Sequence, residues 1–432
     1  MGRRLPYPRR VTRQAAFPLL RNPAFVRLWF IQGATQVGGN MALYAMTILV
    51  FETTGSTSAV SVLFSTYVLP QIVLSPFAGV VVDRLDLRWA LVGPNILRAV
   101  LMIALALTGR DLLVLLALNL AISCMSVALT PAEGSMIPRV VPRDELGLAM
   151  GIFNLTLQGS FALGFAFLGP ILVTLAGSSA VLGVVAGLYV AASIACIGLP
   201  SAPPVEANRA RSRRQALREP LHELAAGFRT VAGDREISRP IVHQAAAASI
   251  AGVLGVLGPA LATTVGLSPD HLVVIVVPLG IGVLLGVVGL RRVRRADHRR
   301  AAEGGLLVFG GLTAVLALVA LAQAQLTAGG VPLIPLIMAI AVVSGAAYAV
   351  TLVSAQTALL EGIPAAFRGR VFGVLASVVS TASLAPTLVA GPLSDRTSAP
   401  FVLAIVGLGV VSIALWSARL FGPRPARGAS ES

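Results

Sequence analysis

Apolar and polar residues do not alternate along this chain; they come in blocks. Twelve nearly continuous apolar runs fall at approximately 24–51, 57–82, 89–108, 111–136, 145–175, 177–199, 240–265, 271–290, 304–325, 331–358, 370–393 and 399–420. A helix needs about 20 apolar residues to cross hydrocarbon, and runs of that length joined by short polar stretches must turn back at the membrane face. A membrane β-barrel would show short segments of alternating hydrophobicity instead. The pattern predicts an all-α membrane protein with twelve transmembrane helices. The long polar stretch at 200–239 leaves six runs on each side. The predicted organisation is a basic tail (1–22), a six-helix bundle (23–199), a linker (200–239), a second six-helix bundle (240–421) and a short tail (422–432). In the linker, Gln215 to Ala232 would set Leu217, Leu221, Leu224, Ala225 and Phe228 on one helical face. A basic helix of that kind lies on anionic lipid, although a partner-binding role fits the same residues.

The halves resemble each other. Ile137-Pro138 and Ile363-Pro364 stand 226 residues apart, and each Ile is followed ten residues later by Gly147 or Gly373. Gly169-Pro170 and Gly391-Pro392 sit late in the two fifth runs of their halves. Two six-span halves in parallel repeat are the sequence form of an alternating-access transporter.

Composition agrees with the pattern: 56 % of the 432 residues are hydrophobic and 12 % charged, about half the charge of a soluble protein. The net charge of +15 would suit nucleic acid, but its distribution argues otherwise. All 33 basic residues are arginine, and 29 of them fall in the tails, the linker and every second loop. Arg110 and Arg396 alone occupy the opposite loops, while Arg27 and Arg98 lie within runs. The positive-inside rule therefore predicts a multi-pass protein of the inner (cytoplasmic) membrane with both termini in the cytoplasm. Cys124 and Cys196 lie inside apolar runs and the four His are scattered, so no disulfide, metal or cofactor is expected.

The joint between the second and third runs reads GVVVDRLDLR, Gly79 to Arg88. Asp83, Arg84, Asp86 and Arg88 are too costly to place in hydrocarbon and mark a tight surface loop. Gly79, one helical turn earlier, leaves room for another helix to approach.

These residues resemble the loop signature of the major facilitator superfamily: Gly, three residues, Asp-Arg, one residue, Gly, then two basic residues. Gly79, Asp83, Arg84 and Arg88 match, while Asp86 replaces the usual Gly and Leu87 a basic residue. A second GxxxDR, Gly391 to Arg396, falls in a loop assigned to the outer face, so position carries the weight of the match. Further stretches resemble the drug-exporter branch that includes macrolide efflux proteins and the enterobactin exporter. They are Leu20-Arg21-Asn22 with Phe25, Arg27, Leu28 and Trp29; Thr54-Gly55-Ser56; Leu69-Pro70; Arg98-Ala99; and Arg368 to Gly373. Gly164 with Gly169-Pro170 partly resembles the antiporter motif of span five, whose trailing glycine pair is replaced by Ile171 and Leu172. The resemblance implies that Asp83 caps span eleven near Phe367 to Arg370 and that Arg88 pairs with Glu133, latching the cytoplasmic side shut. Solvated turn charges that only set topology are the plainer alternative.

It also implies a cavity lined by spans one, four, seven and ten. Its expected polar residues are Gln32, Gln36 and Asn40, Asn119, His243 and Gln244, and Tyr348 with Gln356; Asn154 and Gln158 join them from span five. Buried amides serve equally well as interhelical hydrogen bonds worth roughly 0.6 kcal/mol each. Arg98 lies mid-span, where an unpaired charge costs at least about 2.5–3.5 kcal/mol, so it is expected to be paired, wet or snorkelling towards the inner interface. No acid falls in the central third of a run, and Asn40 stands where relatives often carry Asp, so Glu133, His243 and Glu361 are the fallback proton sites. An uncharged cavity dotted with amides and Phe suits neutral or amphipathic cargo.

The expected function is export of drug-like or secondary-metabolite molecules by alternating access, coupled to protons, by a monomer without a cofactor. An importer on the same fold is the first alternative. A membrane-embedded enzyme or sensor would need a catalytic cluster of carboxylates, His or Ser-His pairs at one depth, and the sequence offers none.

Overall fold

The computed structural model describes residues 17–108, 111–203, 228–229, 231, 233–290, 298–363 and 368–421. Among these, twelve helices are long and apolar enough to cross a membrane. Spans one to six run Pro23–Thr54, Thr57–Val82, Leu87–Leu107, Leu112–Val140, Leu146–Ala176 and Ser178–Ile197. Spans seven to twelve run Arg235–Thr264, Pro269–Gly289, His298–Leu321, Leu333–Gly362, Arg368–Arg396 and Ala399–Phe421. They form two six-helix bundles, and an even number of spans returns the chain to the face from which it started. That side is the terminal face.

The starts and stops follow local chemistry. Asn22 caps span one by accepting the N–H groups of Ala24 and Phe25, and its amide donates to the Val140 carbonyl at 2.6 Å, tying the start of span one to the end of span four. Gly55, at φ 63°, takes the left-handed turn that ends span one, and the Ser56 hydroxyl caps span two. Asp86 and Asp111 cap spans three and four by accepting from Arg88 N–H and Val114 N–H.

Three departures from the sequence reading have physical causes. Span four is interrupted between Ser126 and Leu129. Span five contains a π-helical stretch, Ala162–Leu168. Pro170 cannot donate to the carbonyl of Ala166, and the Gly169 N–H reaches back five residues to Gly164, so the register slips by one. Spans seven and nine begin about five residues earlier than their apolar runs. Their polar first turns hold each other: Arg239 pairs with Glu303, and Arg299 with Glu236. A hydropathy pattern cannot register charged turns that neutralise one another. Most of the predicted linker helix and of the N-terminal tail, and all of the tail 422–432, lie outside the described residues.

Packing is closest where side chains are missing. A Cβ on Gly282 of span eight would run into the Val342 carbonyl of span ten, and one on Gly345 into the Leu279 carbonyl. Gly164 and Gly169 let span five press on span one: their Cβ atoms would lie 2.5 Å from the Val37 carbonyl oxygen and 3.1 Å from Tyr44 Cβ. Leu107, Leu113 and Leu175 point outward, as lipid-facing residues do.

The hydrogen bonds that cross between the bundles gather at the end opposite the terminal face. Ser61 Oγ of span two donates to the Thr387 carbonyl of span eleven at 2.6 Å, and Thr174 Oγ1 donates to the Asp270 carbonyl at 3.2 Å. Nearby, a Cβ on Gly255 of span seven would meet the Phe64 ring of span two at 2.8 Å. At the terminal face the Asp83 and Arg84 side chains are exposed, and a Cβ on Gly79 would meet nothing within 4 Å. Among the described residues, the contacts between the bundles thus concentrate at the end opposite the terminal face.

Candidate functional site

Within the first bundle lies a cavity of about 230 Å³. Span one contributes Thr35, Gln36, Gly39, Ala42 and Met46, and span two contributes Tyr67 and Gln71, one helical turn apart. Arg98 and Met102 come from span three, again one turn apart, and Asn119, Ile122 and Ser126 from span four. Leu129 and Thr130 follow the break in span four, with Leu157 and Tyr189 completing the wall. The break thus re-aims span four beside the cavity.

Arg98 is the charged residue of this lining and is 4 % exposed. Its guanidinium carbon stands 3.9 Å from the centre of the Tyr189 ring, a cation–π contact, and Nη1 donates to Asn95 Oδ1 at 3.3 Å. Nε has no hydrogen-bond partner. Gly39 makes room for this stack, since a Cβ there would come within 3.5 Å of the Tyr189 hydroxyl and 3.8 Å of Arg98 Nη2. Of the arrangements expected for Arg98, the structure shows it paired, against the Tyr189 ring and Asn95, and not snorkelling. The cavity is therefore not uncharged, and no Phe is among its lining residues.

The remaining predicted residues are dispersed. Gln36 and Asn119 line the cavity. The Asn119 amide donates to Thr66 Oγ1 at 2.9 Å and to the Leu63 carbonyl at 3.2 Å, so the same residue pins span four to span two. Asn40 donates to the Gln36 carbonyl at 2.9 Å, and Gln32 to the Phe153 carbonyl at 3.2 Å. Asn154 is exposed and bonds back to the Met150 carbonyl; the Gln158 side chain lies outside the described residues. His243 is buried and shares a 2.9 Å hydrogen bond with Ser417, at the seam of spans seven and twelve. Gln244 is buried with Nε2 unpartnered, Tyr348 tilts against Phe309 with ring centres 5.3 Å apart, and Gln356 is half-buried. Tyr67, Gln71 and Tyr189 were not anticipated; the four-residue spacing of Tyr67 and Gln71 in span two was the signal available.

Of the predicted latch, Gly79, Asp83 and Arg84 sit free at the terminal face, and the Arg370 side chain lies outside the described residues. Among the described residues no ion pair joins Arg88 to Glu133. Glu133 is 3 % exposed with Oε1 unpartnered, and Arg98 is the cation whose charge reaches it. Asp86, the departure from the signature, has its own task. It caps span three and accepts the Ser201 hydroxyl, while Leu87 N–H donates to the Ala202 carbonyl, fastening the loop to the end of span six. Partial burial would raise the Asp86 carboxyl, but Ser201 and the N–H groups of Arg88 and Ala202 outweigh it and hold the pKa below the ordinary value.

The second GxxxDR forms the clasp. Asp395, at the end of span eleven, accepts Thr57 N–H at 2.8 Å, Ser58 N–H at 3.0 Å and the hydroxyls of Ser56, Thr57 and Ser58 at 2.6–2.7 Å. A carboxylate of one bundle thus caps the N-terminus of span two in the other, where free N–H groups and the helix dipole favour an anion. Gly391 allows the approach, because any side chain there would collide with Ser61 and the Thr57 carbonyl.

Two six-helix bundles joined by contacts at one end, one of them enclosing a polar cavity, have the architecture of a secondary transporter. The family model of the Major Facilitator Superfamily matches residues 28–386, and the chain belongs to that superfamily. It is 24 % identical over 411 residues to the uncharacterized MFS-type transporter YfiS of Bacillus subtilis, covering 92 % of this chain and 93 % of that protein. To the multidrug efflux pump Tap of Mycolicibacterium fortuitum it is 26 % identical over 399 residues, covering 88 % and 92 %. The crystal structure of the nucleoside transporter NupG superposes with a TM-score of 0.69 at 13 % identity, over 93 % of this chain and all of that one. A POT family transporter in complex with 5-aminolevulinic acid gives 0.62 at 13 % identity, over 92 % and 96 %. These structures share the fold.

Proposed function

We propose that this protein exports drug-like or secondary-metabolite molecules across the cytoplasmic membrane by alternating access, in exchange for protons. The observation that carries the mechanism is the Asp395 clasp with the Asp83 loop free. It supports one of the two end states that a rocking pair of bundles requires, the one closed away from the termini. Arginine placement supports the terminal face as cytoplasmic. The cavity then loads from inside, and the Asp83 loop closes against span eleven as the Asp395 clasp opens. The outward direction is supported by the likeness to Tap and by the exporter-like stretches at Leu20 to Trp29 and Arg368 to Gly373.

The test is a susceptibility panel on strains lacking or overproducing the protein, paired with everted membrane vesicles. Export predicts lower inhibitory concentrations on deletion, and uptake into everted vesicles that stops when the pH gradient is collapsed. Uptake into right-side-out vesicles alone would replace this reading with an importer.

A further inference from the structure

Arg98 is a cation inside a membrane protein with no acid within ion-pair distance among the described residues. Its guanidinium has five N–H donors. One bond, from Nη1 to Asn95, is in place, and Nε has no partner. The Tyr189 face offsets part of the burial cost without taking a hydrogen bond. A buried cation left this incomplete is expensive, and function is the usual reason for keeping one. Glu133, whose charge reaches Arg98, is not part of the cavity wall and makes no ion pair with it. The group that completes the guanidinium must therefore arrive from the cavity.

The rest of the wall specifies what arrives. Tyr67 and Gln71 bring a phenol and an amide to the same space, both able to donate. Met46, Met102, Ile122 and Leu157 supply apolar surface, and Gln36, Asn119, Ser126 and Thr130 add neutral polar groups. No acid lines the cavity, so nothing there would hold a cation. We propose that this cavity is a subsite for an amphipathic organic anion, with Arg98 holding a carboxylate or similarly compact acid group and the side chains of Met46, Met102, Ile122 and Leu157 holding a flat apolar body. The proposal rests on the transporter reading and adds the cargo's charge to it.

The purified full-length protein in lipid nanodiscs decides it, with three probes on one skeleton: 2-naphthoate, neutral 2-naphthamide and a cationic 2-naphthylmethylammonium. Binding is measured by thermophoresis on wild type, Arg98→Gln and Arg98→Lys. Wild type should prefer the carboxylate over the amide by roughly tenfold or more, the scale of a charge-assisted contact. The preference should collapse in Arg98→Gln and survive in part in Arg98→Lys. If Arg98→Gln does not fold, the wild-type comparison alone decides. Equal binding of carboxylate and amide, tighter binding of the cation, or an unchanged preference in Arg98→Gln each overturns the proposal. The two readings fail differently. Vesicles that export neutral or cationic compounds while wild type ignores the carboxylate sink the anion subsite alone. Carboxylate binding lost in Arg98→Gln, with no vesicle transport of any compound, supports the subsite and sinks the exporter.

Discussion

Asp395 and Thr57 belong to different bundles, yet the Asp395 carboxylate accepts both the Thr57 N–H, at 2.8 Å, and the Thr57 hydroxyl, at 2.6 Å. This contact must break whenever the two bundles part on that side. Asp395→Ala removes it and is expected to shift the population towards the state open opposite the termini, by roughly tenfold on the scale of charge-assisted hydrogen bonds. A cysteine at Ser61, in a background without Cys124 and Cys196, reports the shift through an impermeant thiol reagent added from outside. Labelling no faster in Asp395→Ala than in its parent would show that the clasp does not hold the state.

Asp83 should act in the opposite sense. Its side chain is free in the state described here, so Asp83→Asn costs this state nothing, and it weakens the alternative in which the carboxylate meets the N-terminus of span eleven. Transport should fall while folded yield and membrane insertion stay at wild-type levels, and the Ser61 reporter should label more slowly. Combining Asp83→Asn with Asp395→Ala should bring labelling back towards the parent. Normal efflux in Asp83→Asn would rule out the latch.

The sequence made these roles legible to different degrees. Twelve spans, their pairing into halves and the surface loop at Asp83 all follow from where charge cannot be buried, a rule that acts residue by residue. Asp395 was visible as a repeat of the signature, but its partners Ser56 to Ser58 lie more than 300 residues away, and nothing local says that the two ends meet. Depth alone marks Arg98 as paired, wet or snorkelling, whereas the Tyr189 ring that decides between these belongs to a span 91 residues later. Span number is the only guide the sequence offers to the cavity amides. Several of those residues, His243 with Ser417 among them, prove to be spent on neighbouring helices instead.

Asp86 carries a pH dependence. Its carboxyl pKa is held below the ordinary value by Ser201 and the backbone N–H groups it accepts. A depressed pKa contributes stability that is present above the unfolded-state value, about 3.9, and lost as pH falls through the lower folded-state value. Asp86→Ala should therefore lower thermal stability at neutral pH by the cost of a lost helix cap, roughly 1 kcal/mol. The gap to wild type should narrow only in strongly acid buffer. A gap that closes already near pH 6 would assign the effect to another group.

The reciprocal contact of spans eight and ten is the sharpest packing test. Each span has a glycine facing a carbonyl of the other, Gly282 against Val342 and Gly345 against Leu279, so a methyl at either site forces the helices apart. Without a hydrophobic drive between helices in lipid, this close approach is itself what stabilises the pair. Gly282→Ala should cost at least the roughly 1–3 kcal/mol of an overpacked core, lowering the melting temperature in detergent together with folded yield. Gly289→Ala, seven residues along the same span with nothing within 4 Å of its Cβ, is the internal control and should leave both unchanged. The same logic predicts that Gly164→Ala, whose methyl would lie 2.5 Å from the Val37 carbonyl oxygen, disturbs the wall that spans one and five share. Equal melting temperatures for Gly282→Ala and Gly289→Ala would mean that spans eight and ten do not meet this closely.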